Sequence, residues 1–179
     1  MGTYVALLRG INVGGNNMLP MRELVATFEG AGCARVRHYI QSGNVVFDAP
    51  APLAARVPGL VRTAIEKRAG LRVPVVLRTS AELAKVASGN PFLAQKPDAK
   101  ALHVLFLADV PGKEECAALD PERSPPDRFL VRGREVYLLC PHGVGKSKLT
   151  NAYFDGALGT TSTARNWRTV LTLVDMCAG

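Results

Sequence analysis

A chain of 179 residues, 47% hydrophobic and 21% charged, can bury roughly 70% of the surface it exposes when unfolded, so it needs neither disulfides nor a structural metal to hold a core. Its net charge of +7 favours long-range capture of phosphates or nucleic acid, yet the 22 lysines and arginines form no block of five or six, which argues for a solvated basic surface over a dedicated nucleic-acid groove. No apolar run approaches the ~20 residues that span a bilayer, and the chain enters a strand without a basic leader, so a cytoplasmic protein with no membrane partner is expected.

Thr3 to Leu8 is apolar on both parities, the pattern of a central strand covered on both faces. It runs into Arg9-Gly10-Ile11-Asn12-Val13-Gly14-Gly15-Asn16-Asn17, a loop of glycines and asparagines opening on an arginine. Pro20 suits a first helical turn, and Met21, Leu24, Val25, Phe28 and Ala31 recur at helical spacing until Gly30 and Gly32 end the helix. Arg35 to Ile40 and Asn44 to Phe47 read as a hairpin around Gln41-Ser42-Gly43. Leu60, Val61, Ala64 and Ile65 share a face of a second helix whose start Pro58 obscures, and Val73 to Leu77 is the next strand. The order βαββαβ is the split-βαβ, or ferredoxin-like, unit, complete within residues 1–79.

Thr79 and Glu82 have capping-box spacing, and Asn90-Pro91 closes the short connecting helix that follows. Leu102 to Leu107 is a strong strand, Lys113 to Leu119 a short helix, and Arg128 to Val131 with Glu135 to Leu139 a second hairpin, followed by helical sequence from about Lys146. A last helix, entered through Thr160-Thr161-Ser162-Thr163, repeats Trp167, Val170, Leu171, Val174 and Cys177 on one stripe. The expected fold is α/β (α+β): two ferredoxin-like units in tandem. Residues 80–179 form an incomplete second unit plus the C-terminal helix, tightly packed on the first.

Split-βαβ topology places the third strand between the first and second, antiparallel to both. The end of strand one and the first hairpin therefore share one sheet edge, which brings Arg9, Gly10 and Asn12 towards Gln41, Ser42 and Asn44. With the backbone of Gly14, Gly15 and Asn16, that edge presents donors suited to carboxylate or phosphate oxygens. The same residues are also good turn formers, but a buried strand ending in arginine is not explained by turn geometry. Thr163 is expected to cap the last helix, putting Arg165 and Asn166 in its first turn, where a cation opposes the dipole unless an anion joins it. Lys146 and Ser147, at another expected helix start, complete the candidate ligand-binding set.

The segments Leu7 to Asn17, Tyr39 to Phe47, Gly143 to Leu149 and Ala164 to Val170 resemble the signature segments of the uncharacterised bacterial family catalogued as DUF 1697. The resemblance covers almost the whole chain and implies an α/β fold of ferredoxin-like units without an established activity. Met18 stands where lysine is commoner in the family, and Ala164 and Arg168 where threonine and asparagine are.

Other patterns carry less. Gly143-Val144-Gly145-Lys146-Ser147 lacks the first glycine of a phosphate-binding loop, Cys140 standing in its place. His38, His103 and His142 share no metal-ligand spacing, His103 reads as a satisfied core histidine, and neither metal nor cofactor is expected. Cys140 and His142 are near in sequence, but a Cys-His pair is normally assembled from distant segments. Three functions remain open: binding of a small anionic or nucleotide-like ligand at the edge of residues 9–17 and 41–44, single-stranded nucleic-acid binding, and an enzyme acting on a phosphorylated or activated small substrate. The first is preferred; the nucleic-acid reading lacks the aromatic residues of a stacking sheet.

Overall fold

The computed structural model describes all 179 residues and contains two four-stranded sheets, every strand pair antiparallel. The chain divides into two units, Met1–Ala84 with Leu173–Gly179, and Lys85–Thr172. No helix is long and apolar enough to cross a membrane.

In the first unit, β1 (Gly2–Leu8), α1 (Met21–Gly30), β2 (Ala34–Tyr39), β3 (Asn44–Ala49), α2 (Ala51–Ala69) and β4 (Val75–Thr79) give the sheet order β2-β3-β1-β4. Every residue of β3 is buried, as expected of a strand flanked on both sides and covered on its faces. Ala6 and Leu8 of β1 and Val45 and Phe47 of β3 form one apolar sheet face. Against it lie Leu24 and Phe28 of α1 and Ala54, Val57, Val61 and Ile65 of α2, spaced so that each helix buries one stripe. Pro58 lies inside α2, which starts at Ala51 behind Pro50; what Pro58 lacks is one N–H, which would have bonded the Ala54 carbonyl. The Thr79–Glu82 capping box forms as expected, Glu82 N–H donating to Thr79 Oγ1 at 3.1 Å and Thr79 N–H to the Glu82 carboxylate at 2.8 Å.

Asp48, near the end of β3, is buried and accepts hydrogen bonds from Thr3 Oγ1 at 2.8 Å and from Arg35 Nε. Burial alone would raise its pKa, but the bonds from Arg35 and Thr3 and the charges of Arg35 and Arg37 prevail and hold it below its ordinary value. The stabilisation from Asp48 is therefore complete above the unfolded carboxyl pKa of ~3.9 and is lost as pH falls through the lower folded value. In urea denaturation between about pH 6 and pH 2, the stability advantage of wild type over Asp48→Asn should shrink on acidification. An advantage independent of pH would show that the ionised carboxylate contributes nothing.

The second unit takes in the end of α3 (Ser80–Ser88), followed by β5 (Leu102–Leu107), α4 (Lys113–Ala117), β6 (Arg128–Arg132), β7 (Glu135–Leu139), α5 (Asn151–Leu158) and β8 (Ser162–Asn166). Its sheet order, β6-β7-β5-β8, repeats that of the first. The expectation of an incomplete unit is thus corrected: β8 supplies the fourth strand. Its sequence, Ser-Thr-Ala-Arg-Asn, gave no apolar alternation because it buries two hydroxyls and a guanidinium, and its serine and threonine mimic a helix cap. Leu105 and Leu107 of β5 and Val136 and Leu138 of β7 pack with Phe154 and Leu158 of α5. Phe129 meets Phe154 edge-on at 5.3 Å between ring centroids. The final helix, α6, spans Trp167–Ala178; Trp167 is buried.

Candidate functional site

The loop after β1 is built by its own amides. Gly10 and Asn12 take positive φ values of 71° and 52°, the left-handed region that glycine and asparagine tolerate best. Asn17 Nδ2 donates to the Gly10 carbonyl at 2.8 Å, and Asn16 N–H donates to the Val13 carbonyl at 3.0 Å, closing a small hairpin whose tip is Gly14-Gly15. Asn12 is the latch. Its Oδ1 accepts from Leu19 N–H at 2.7 Å, and its Nδ2 donates to the carbonyls of Leu19 and Gln41, each at 2.9 Å. One side chain thereby ties loop, α1 entrance and first hairpin together.

Across the edge, Asn44 Nδ2 donates to the Tyr39 carbonyl and to Ser42 Oγ, both at 3.1 Å. Register pairs Asn44 with Leu7 and with Tyr39, so the end of β1 and the hairpin are neighbours, as the topology predicts. Arg9 follows β1 with its N–H on the Pro74 carbonyl at 3.0 Å.

A cavity of ≈530 Å³ opens at this edge, lined by Asn12, Met18, Leu19, Pro20, Met21, Arg22, His38, Ile40 and Gln41. Asn12 and Gln41 are brought together there as expected. Arg9, Gly10, Gly14, Gly15, Asn16, Ser42 and Asn44 do not line it. Pro20 precedes α1 without a capping side chain, so the N–H groups of Met21 and Arg22 lack intrahelical acceptors. The acid of that first turn, Glu23, is paired with Arg68 Nε at 3.4 Å. The Arg22 guanidinium and the exposed His38 imidazole have no hydrogen-bond or ion-pair partner in the chain.

The candidates in the second unit fall elsewhere than expected. Arg165 lies on β8, not in a helical turn, buried with Nη1 donating to Thr163 Oγ1 at 2.8 Å and to the Ala164 carbonyl at 2.7 Å. Burial lowers its pKa to about 10, which leaves it charged at neutral pH. Asn166 itself caps α6, its Oδ1 accepting from Thr169 N–H at 2.8 Å. Strand alternation separates the two: Arg165 is buried and Asn166 exposed. Lys146 ends a short 3-10 turn, Val144–Lys146, and Ser147 Oγ accepts from Leu149 N–H at 3.1 Å; α5 starts only at Asn151, capped by Thr150. Burial, followed by the Asp127 charge, pushes the Cys140 thiol up to about 11, opposite to what a thiolate nucleophile needs. His103 is half-buried rather than core, and its buried Nδ1 has no hydrogen bond of regular geometry, only a contact with the Ala101 backbone. No group of three His, Cys, Asp or Glu residues is arranged to hold a metal ion.

A family model described as "Protein of unknown function (DUF1697)" matches residues 1–137. The chain belongs to the DUF1697 family. Among solved structures, the conserved bacterial protein SP0830 from Streptococcus pneumoniae is similar over 98% of both chains, with 19% identity and a TM-score of 0.68. At that identity the likeness shows the fold alone. No curated protein matches the chain.

In this DUF1697 protein Asn12 alone among the loop asparagines and glycines lines the cavity, and residues outside the loop supply most of its wall. Arg22 and His38 were missed because neither lies in a turn-rich segment. A signal for Arg22 was present: a cation in the first turn of a helix entered through proline opposes the dipole, the argument applied instead to Arg165.

Proposed function

We propose that this DUF1697 protein binds a small anionic, nucleotide-like ligand in the cavity at the β1 edge. The observation that carries the reading is the composition of that cavity. A guanidinium, an imidazole, an amide and an uncapped helix start share its lining with the apolar side chains of Met18, Met21 and Ile40. The polar groups suit phosphate or carboxylate oxygens, and the apolar ones suit a flat ring or short aliphatic portion. A charge-assisted hydrogen bond contributes about 1.5–3 kcal/mol and a helix N-terminus about 0.3–1 kcal/mol, so a bare anion would bind only at about millimolar to high-micromolar affinity. The apolar wall makes an organic anion the better ligand.

A thermal-shift screen of nucleotides, phosphorylated metabolites and dicarboxylates, followed by calorimetry on each compound that raises the melting temperature, tests this. Arg22→Gln should weaken the bound compound about tenfold or more, and His38→Ala less, without changing the melting temperature of the free protein. Unchanged affinity in both variants would place the ligand elsewhere. Arg9→Ala, measured alongside, separates a role for the arginine that ends β1 from that of the cavity itself.

A further inference from the structure

The second unit has its own cavity, of ≈370 Å³, lined by Asp98, Ala99, Lys100, His103, Asn166 and Arg168. Sheet register brings these residues together. His103 near the start of β5 pairs with Asn166 at the end of β8. The 3-10 turn Ala99–Ala101 leads into β5, and α6 leaves β8 directly, carrying Arg168 as its second residue. The cavity therefore depends on β8, the strand that hydrophobic patterning does not reveal.

Two cations stand against one carboxylate in this lining, leaving a positive excess. The Lys100 ammonium and the Arg168 guanidinium have no hydrogen-bond or ion-pair partner in the chain. Asn166 Oδ1 is occupied by Thr169 N–H, so the amide has its Nδ2 donors left to offer. Asp98 Oδ1 accepts the Lys100 N–H at 2.9 Å, which fixes the carboxylate at the rim as an acceptor. His103 Nδ1 is buried without a regular partner. Burial lowers the His103 pKa against an opposing pull from the Ala101 backbone, favouring a neutral imidazole with one donor and one acceptor nitrogen. A volume near the lower end of the ~300–1,000 Å³ found for ligand pockets excludes a large occupant.

We propose that this cavity is a second ligand site, selective for a small phosphate monoester that carries a hydroxyl group. Lys100, Arg168 and Asn166 Nδ2 hold the phosphate oxygens, the lysine as a point charge and the arginine as a fork. Asp98 and His103 receive the hydroxyl. The site is independent of the β1 edge cavity, and its failure would leave that reading untouched.

NMR on the full chain tests it, with glycerol phosphate as the probe and with glycerol and sodium chloride at matched ionic strength as controls. Glycerol phosphate should give saturable shifts at the His103 imidazole and the Asn166 side-chain amide that neither control produces. Lys100→Gln and Arg168→Gln should each weaken binding roughly tenfold or more, whereas Lys100→Arg should stay within about threefold of wild type because it keeps the charge. Both residues are exposed, so the amide spectra of the variants should otherwise match wild type. Shifts that grow linearly, that chloride reproduces, that report only on His38, or that persist unchanged in the Lys100→Gln, Arg168→Gln double variant would overturn the proposal.

Discussion

Gly43→Ala is expected to destabilise the first unit by about 2–5 kcal/mol, combining left-handed backbone strain with overpacking. Gly43 sits buried in the first hairpin at φ +83°, with its carbonyl accepting the Leu8 N–H at 2.8 Å. A Cβ there would stand 2.7 Å from Leu8 Cβ and 3.0 Å from Ile11 Cδ1. Leu8 Cβ cannot move without moving β1, so side-chain rotation gives no relief. Gly10 is the internal comparison: it has φ +71° and nothing within 4 Å of its built Cβ, so Gly10→Ala should cost only the strain of about 1–2 kcal/mol. Urea denaturation of the three proteins measures both values. Equal losses at the two positions would show that close packing under the hairpin is not what requires glycine at 43.

Asn12→Ala should cost about 2–4 kcal/mol, from three hydrogen bonds at roughly 0.5–1.5 kcal/mol each, and should open the β1 edge cavity. The substitution strands the Leu19 N–H and carbonyl and the Gln41 carbonyl together. It also puts alanine at φ 52°, where asparagine is better tolerated. Asn12→Asp is the sharper variant. It preserves an acceptor for Leu19 N–H but turns carboxylate oxygens towards two carbonyl oxygens, so it should not rescue stability. Amide hydrogen exchange at Leu19 reads the effect locally, and ligand calorimetry reads it at the cavity. If Asn12→Asp were as stable as wild type with Leu19 still protected, the two donated bonds would not matter and the latch would reduce to a single capping contact.

These two residues show how the site was partly legible. The Asn- and Gly-rich composition of residues 9–17 marked a loop that had to adopt left-handed conformations, and βαββαβ order placed it beside Gln41 to Asn44. Composition alone could not divide the asparagines between building the edge and presenting donors to a ligand. Asn12, Asn17 and Asn44 form hydrogen bonds within the edge, whereas Arg22 and His38, which come from a helix start and a strand, line the cavity with unpaired charge or ring nitrogen. Arg165 was misplaced for a related reason. The run Thr160 to Thr163 carries hydroxyls that serve a helix cap or a buried strand equally well, and only pairing with β5 decides between them.

The apolar runs and stripes of β1, α1, the two hairpins and β5 were set by local sequence, because burial of one face or both selects apolar residues along it; the stripe of α6 was set only in part, since Trp167 and Val170 are buried but Leu171 is exposed and Leu173 is buried in its stead. The capping box at Thr79 and Glu82 was equally local, since its partners lie three residues apart. Tertiary structure alone decided the fourth strand of the second sheet, the burial of Arg165 beside exposed Asn166, and both cavities. Each depends on residues distant in sequence meeting at a sheet edge, and polar side chains satisfied by such meetings leave no periodic trace in the chain.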